Sequence, residues 1–218
     1  MAVFEMTGEI IGNDYEEMYD WFGYEYSSPR KLKEAFDGMT PGDRMQIKIN
    51  SPGGDVGAGQ QIYSMLRGRD DYDIEITGLA ASAASLIAMA GPSSISPAGM
   101  LMIHNVWANT SGNKNELKKT ASVLDEYDHA LANAYAEKSG MDVDKVLDLM
   151  NKETWLSANR AVELGFVDKI TSAVALPTNA SLCGMRITEE QINQFKEAKA
   201  AEEKRKESIL NGLDNYGA

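Results

Sequence analysis

An alternating run, Met45, Ile47 and Ile49 with polar residues between them, leads straight into Asn50-Ser51-Pro52-Gly53-Gly54. Alternation at period two predicts a strand, and a Pro-Gly-Gly turn after it forces an abrupt change of direction. Ala58, Ile62, Met65 and Leu66 then recur at helical spacing. The same order follows again. Ile74 and Ile76 mark a short strand ending at Gly78, and the small-residue apolar segment 81–90 predicts a buried helix stopped by Gly91-Pro92. Residues 100–104 predict a third strand. Strands and helices alternating in this way specify an α/β fold with mainly parallel strands. Right-handed connections then wind successive units into a spiral.

Beyond the third strand, Leu117, Ala121, Leu124, Leu131 and Tyr135 outline a long helix over 116–138. A shorter one carries Val143, Val146, Leu147 and Met150. Ser157 reads as an N-cap for a helix over 158–164 stopped by Gly165, and 166–170 as the last core strand. Two regions stand apart. Residues 13–30 are acidic, aromatic and poorly periodic, which predicts a loop or packing arm. Thr188-Glu189-Glu190-Gln191 is a capping-box pattern opening a charged tail whose apolar residues are sparse. The expected organisation is one α/β domain over 1–186 and a helical tail over 187–218.

The 218 residues carry a net charge of −12, which weighs against nucleic-acid binding and against an anionic membrane surface. The single Cys183 cannot close an intramolecular disulfide, and no Cys/His spacing suggests a metal site, so neither metal nor cofactor is expected. The beginning, MAVFEMTGEI, lacks the basic and apolar regions of a secretory signal, and the apolar stretch 78–91 is too short to span a bilayer. The expected location is the cytoplasm.

Ser82 lies between a strand and a helix start, at the carboxyl edge of a parallel sheet where α/β active sites form. Its surroundings are not G-x-S-x-G, so the nucleophile elbow of the α/β-hydrolases is not indicated. A small residue packed in a tight helix accounts for the serine equally well. Gly53 and Gly54 permit positive φ and an exposed row of amides, suited to an oxyanion or to a plain tight turn. Of the two histidines, His104 ends an apolar strand, whereas His129 falls within a charged helix. A histidine base also needs an acceptor on its second nitrogen, and Glu153 is one candidate.

INSPGGDVGAGQQIYSML, GLAASAASLIAMAG, MLMIHN and ETWLSANRAVELGFVD occur in this order. Together they resemble the proteolytic subunit of the Clp protease, a self-compartmentalised serine peptidase, over residues 8–170. The resemblance implies a spiral of β-β-α units of the kind shared with crotonases. It places the nucleophile at Ser82, the general base at His104, and the oxyanion and substrate-strand segment at Gly53, Gly54, Asp55 and Val56. The second oxyanion amide falls on Ala83. Where the family has a catalytic Asp, this chain has Glu153, one methylene longer. Polypeptide substrates and a homo-oligomeric ring, commonly two stacked heptamers joined through the long helix, are implied as well.

Departures from the pattern are specific. Ala83 stands where the family usually has Met, and the 13–30 stretch, the Glu-Thr-Trp-Leu-Ser run and the tail are more similar to the phage or prophage branch. Members of that branch are associated with processing capsid or scaffold proteins, and these differences point away from dependence on a Clp-type ATPase. Two other readings stand beside the peptidase: a capsid-assembly or scaffold protein that kept the fold, and an acyl-CoA enzyme of the crotonase type. The latter has no need of a paired Ser82 and His104.

Overall fold

The computed structural model describes residues 1–171, 193–201 and 204. Its sheet is built around β3 (Met45–Gly54) and β4 (Tyr72–Ala81), which pair in parallel with Ile47 opposite Ile74 and Ile49 opposite Ile76. β1 (Ala2–Ile10) joins β3 on its other side, and β2 (Tyr26–Ser27) extends β1. β5 (Ser93–Ile95) pairs with the first half of β4 and carries β8 (Lys169–Ile170) beyond it. The second half of β4 turns to a different partner, β6 (Met100–Ile103). β6 in turn holds β7 (Thr154–Ser157), the one antiparallel pairing among the described residues. The α/β expectation with a mainly parallel sheet therefore holds.

Alternation decides which face of the sheet is dry. Met45, Ile47 and Ile49 of β3 and Tyr72, Ile74 and Ile76 of β4 are all at most 2% exposed. Ala58, Ile62 and Leu66 of α3 (Val56–Arg67) belong to the same cluster, as does α4 (Ala83–Ala88), all six of whose residues are buried. Each large apolar side chain so buried contributes about 1.5–3 kcal/mol. Burial moves Tyr72 in the same direction as any phenol leaving water, up to about 12. No helix among the described residues is long and apolar enough to cross a membrane.

Several boundaries differ from the pattern reading. The long helix is α5 (Lys114–Ser139), and it starts earlier because Asn113 forms a capping box with Glu116. Its buried residues begin at Asp128; Leu117, Val123 and Tyr127 before it remain exposed. α6 (Val143–Asn151) follows, and α7 (Ala158–Glu163) begins after Ser157, which takes the N-cap position without a side-chain bond. The last strand is reduced to β8, since buried Phe166 and Val167 belong to the turn that Gly165 opens at φ 78°. β6 stops at Ile103, one residue short of His104.

The 13–30 stretch is not a loop. It forms a 3-10 turn at Asn13–Tyr15, α1 (Glu16–Phe22), β2 and the start of α2 (Pro29–Asp37). Local chemistry explains the breaks between them. Gly23 ends α1 at φ 68°, and Ser28 caps α2 by accepting the Lys31 N–H, with Pro29 in the first helical position. Met18, Tyr19 and Tyr26 gather with Ile11 in a satellite cluster, so the packing half of that expectation holds. Residues 193–201 are helical, and Phe195 meets Trp21 edge-on with centroids 6.0 Å apart while Lys199 pairs with Glu17. The boundary near 186 and the capping box at 188–191 lie outside the described residues.

Candidate active site

Ser82 occupies the single-residue link between β4 and α4 with φ 55° and ψ −125°. A side chain is strained there by about 1–3 kcal/mol, and such a residue persists only where its surroundings over-determine it. Three bonds do so. Its N–H donates to the Met102 carbonyl at 3.0 Å, and its own carbonyl accepts the Ser85 N–H at 3.0 Å and the Ser85 hydroxyl at 2.7 Å. Because Ser85 has one hydroxyl proton, already given to Ser82, Tyr135 must be the donor in the 2.7 Å Ser85–Tyr135 bond. That phenol is fully buried, which pushes its pKa well above the ordinary tyrosine value.

Gly53 fits against this turn at φ 94°. A Cβ there would stand 2.5 Å from the Ala81 carbonyl oxygen and 2.7 Å from the Ser82 Cβ. Its N–H is taken by the Ser51 hydroxyl at 3.1 Å, so Gly53 supports the nucleophile from below and does not present its amide. Gly54 faces the cavity, as do Val56 and Ala83. Asp55 caps α3, its Oδ1 accepting the Ala58 N–H at 2.6 Å.

His104 follows β6 directly and brings its Nε2 to 2.7 Å from the Ser82 Oγ. His129, by contrast, is exposed on α5 with its Nδ1 2.7 Å from the Asp125 carbonyl oxygen. Glu153 falls opposite His104 across the strand pair, because the antiparallel β6–β7 register sets Ile103 against Thr154. Glu153 is exposed, adopts φ 47°, and its Oε1 accepts the Trp155 indole N–H at 3.2 Å.

Ser82 and His104 open onto a cavity of about 400 Å³. Val106, Leu131 and Tyr135 give one apolar wall, and Ile11, Tyr15, Met18 and Tyr19 give the other. The second wall comes from the stretch around 13–30, which pattern reading left without a role. Tyr19 donates its hydroxyl to Glu9 Oε2 at 2.6 Å there. A second omission is Asp128, a buried carboxylate on α5 whose Oδ1 accepts the Val106 N–H at 2.6 Å. Its signal was present: Leu124, Asp128, Leu131 and Tyr135 share one helical face, so an acid falls where a core residue belongs. A serine hydroxyl bonded to an imidazole beside such a cavity is an arrangement that can act as a nucleophile with its base.

The family model described as Clp protease matches residues 35–174. The ATP-dependent Clp protease proteolytic subunit of Bacteroides fragilis is 33% identical over 138 residues, 62% of this chain and 67% of that protein. The corresponding subunit of Porphyromonas gingivalis is 33% identical over 139 residues, 62% of each chain. Proteolytic subunit 2 of Tropheryma whipplei is 27% identical over 135 residues, 60% of this chain and 74% of its own. The matches thus span 62–67% of the length of the Bacteroides and Porphyromonas relatives. The matched segment takes in the sheet from β3 onward together with both members of the 2.7 Å pair, and this chain belongs to the Clp protease family of serine peptidases.

Proposed function

We propose that this chain is a serine endopeptidase in which Ser82 attacks a peptide carbonyl as His104 takes its proton. The observation that carries this reading is the 2.7 Å contact between Ser82 Oγ and His104 Nε2 at the mouth of the cavity. The resulting acyl-enzyme is released by water, which His104 deprotonates in turn. The amides of Gly54 and Ala83 hold the oxyanion, each such donor being worth about 10²–10³ in rate. Substrate lies extended along Gly53, Gly54, Asp55 and Val56.

The chain works in the cytoplasm as a homo-oligomeric ring, two stacked heptamers in the fullest form. Leu117, Val123 and Tyr127, all ahead of the buried part of α5, support an assembly contact, since they are exposed apolar side chains on an otherwise charged stretch. Its substrates are capsid or scaffold polypeptides of a phage or prophage, cut without a Clp-type ATPase. The unusual 13–30 wall and the docked tail favour that branch over the relatives whose names include ATP dependence.

Fluorophosphonate labelling of the assembled protein tests the chemistry. Labelling at Ser82, with peptide cleavage abolished by Ser82→Ala and by His104→Ala, is the expected result. Folded, assembled wild-type protein that neither labels nor cleaves would replace the peptidase with the scaffold reading. A monomer in sedimentation velocity would remove the chambered form, and co-expression with capsid and scaffold proteins tests the substrate class.

A further inference from the structure

α5 buries an acid behind the base. Asp128 is 8% exposed. Its Oδ1 accepts the N–H of Val106, two residues past His104, at 2.6 Å. Burying a carboxylate is costly unless a positive charge arrives to face it. Helix position adds to this. Asp128 lies one turn before Leu131 and two before Tyr135, both of which line the cavity.

We propose that Asp128, and not Glu153, is the positioning carboxylate of His104, with Oδ2 accepting the Nδ1–H of the imidazolium formed during catalysis. The inference rests on Ser82 and His104 acting as nucleophile and base. His104 Nε2 is committed to Ser82, so an orienting carboxylate has to act from the Nδ1 side. In the step itself the Ser82 Oγ–H bond breaks, its proton goes to Nε2, and the oxygen's electron pair forms the bond to the substrate carbon. The positive charge spreads over the ring, and Asp128 stays ionised and holds the Nδ1 proton by hydrogen bond without removing it.

Charges around Asp128 agree with this placement. Burial raises its pKa and Asp125, on the same helix, does the same; the Val106 N–H, His104 and His129 work the other way. His104 is the only one of these ionisable groups contributed by another element. Glu153, exposed and bonded to Trp155, faces a high dielectric, where its charge is screened from the ring.

The test compares Asp128→Asn with Glu153→Gln in the full chain. The new amide oxygen can still accept the Val106 N–H, so the first variant removes charge while keeping the loop bond. Asp128→Asn is expected to lower kcat/KM by about 10²–10⁴-fold, mainly through kcat. It should also move the acidic limb of the pH profile down by about one unit. Glu153→Gln should stay within about threefold of wild type with its limb in place. An unmoved limb in Asp128→Asn, or the same shift in Glu153→Gln, would overturn the proposal. Because the chain has only His104 and His129, histidine-labelled NMR gives the His104 titration without any turnover, with His129→Gln for assignment. If the wild type proves inactive, the peptidase reading fails separately, and this titration decides the inference. A lower His104 pKa in Asp128→Asn alone sustains the pairing, and an unchanged one ends it.

Discussion

Tyr135 donates its buried hydroxyl to Ser85 at 2.7 Å, and through Ser85 it reaches the carbonyl of the strained Ser82. The nucleophile's backbone is thereby tied to the same helix, α5, that supplies a wall of the cavity. One helix thus contributes both to the hold on the Ser82 backbone and to the surroundings of its hydroxyl.

That relay predicts an order of severity. Ser85→Ala leaves the Tyr135 hydroxyl buried without its acceptor and should cost about 1–3 kcal/mol, whereas Tyr135→Phe removes the donor itself and should cost about 1 kcal/mol. Thermal and urea unfolding of the two variants check the order. Both should also slow fluorophosphonate labelling, because Ser82 is held less firmly.

Gly53→Ala should abolish labelling or folding, since its Cβ would lie 2.5 Å from the Ala81 carbonyl oxygen at a φ of 94°. Gly23→Ala is the control. Its φ of 68° is also unfavourable, but nothing lies within 4 Å, so a loss of about 1 kcal/mol with normal labelling is expected. Soluble yield and labelling rate distinguish the two.

Asp128 gives a pH signature in stability. Its folded pKa is raised above the ordinary 3.8, chiefly by burial, so between those values the folded chain holds more protons than the unfolded one. Stability therefore falls as pH rises through that window, and the penalty is complete above it. Asp128→Asn should melt at or above the wild-type temperature at pH 7, with its relative advantage vanishing below about pH 4. Melting curves across that range check the sign.

Phe195→Ala should release the tail from α1. The ring meets Trp21 at 6.0 Å and Phe22 at 6.3 Å, and an aromatic pair of this kind is worth about 0.5–1.5 kcal/mol. Faster tryptic cleavage at Lys199 and a change in Trp21 fluorescence are expected, with little change in the global melting temperature.

Much of this geometry was legible in the residues. Alternation at Met45, Ile47 and Ile49 followed by Pro-Gly-Gly located β3 and its turn, and the order of strands and helices placed Ser82 and His104 at one sheet edge. β1 and the elements over 13–30 were harder to read. β1 carries Glu5 and Glu9 among its apolar residues, and its pairing with β3 is a long-range contact that no local pattern announces. Glu153 shows how far register alone reaches: strand pairing sets it opposite His104, while its Oε1 accepts the Trp155 indole N–H, a side-chain choice that no pattern announces. Asp128 was hidden by distance along the chain, 24 positions from His104, although its place on an apolar face marked it.

The backbone at Ser82 also bears on how such a chain can drift over generations. Glycine at that position would erase the hydroxyl and relieve the φ of 55° in a single step. Loss of chemistry is therefore favoured by stability, and no second change is needed to keep the sheet and helices intact. On the proposed peptidase reading, inactive descendants that persist as assembly parts are one substitution away, and demand for the reaction is what keeps a serine in that turn.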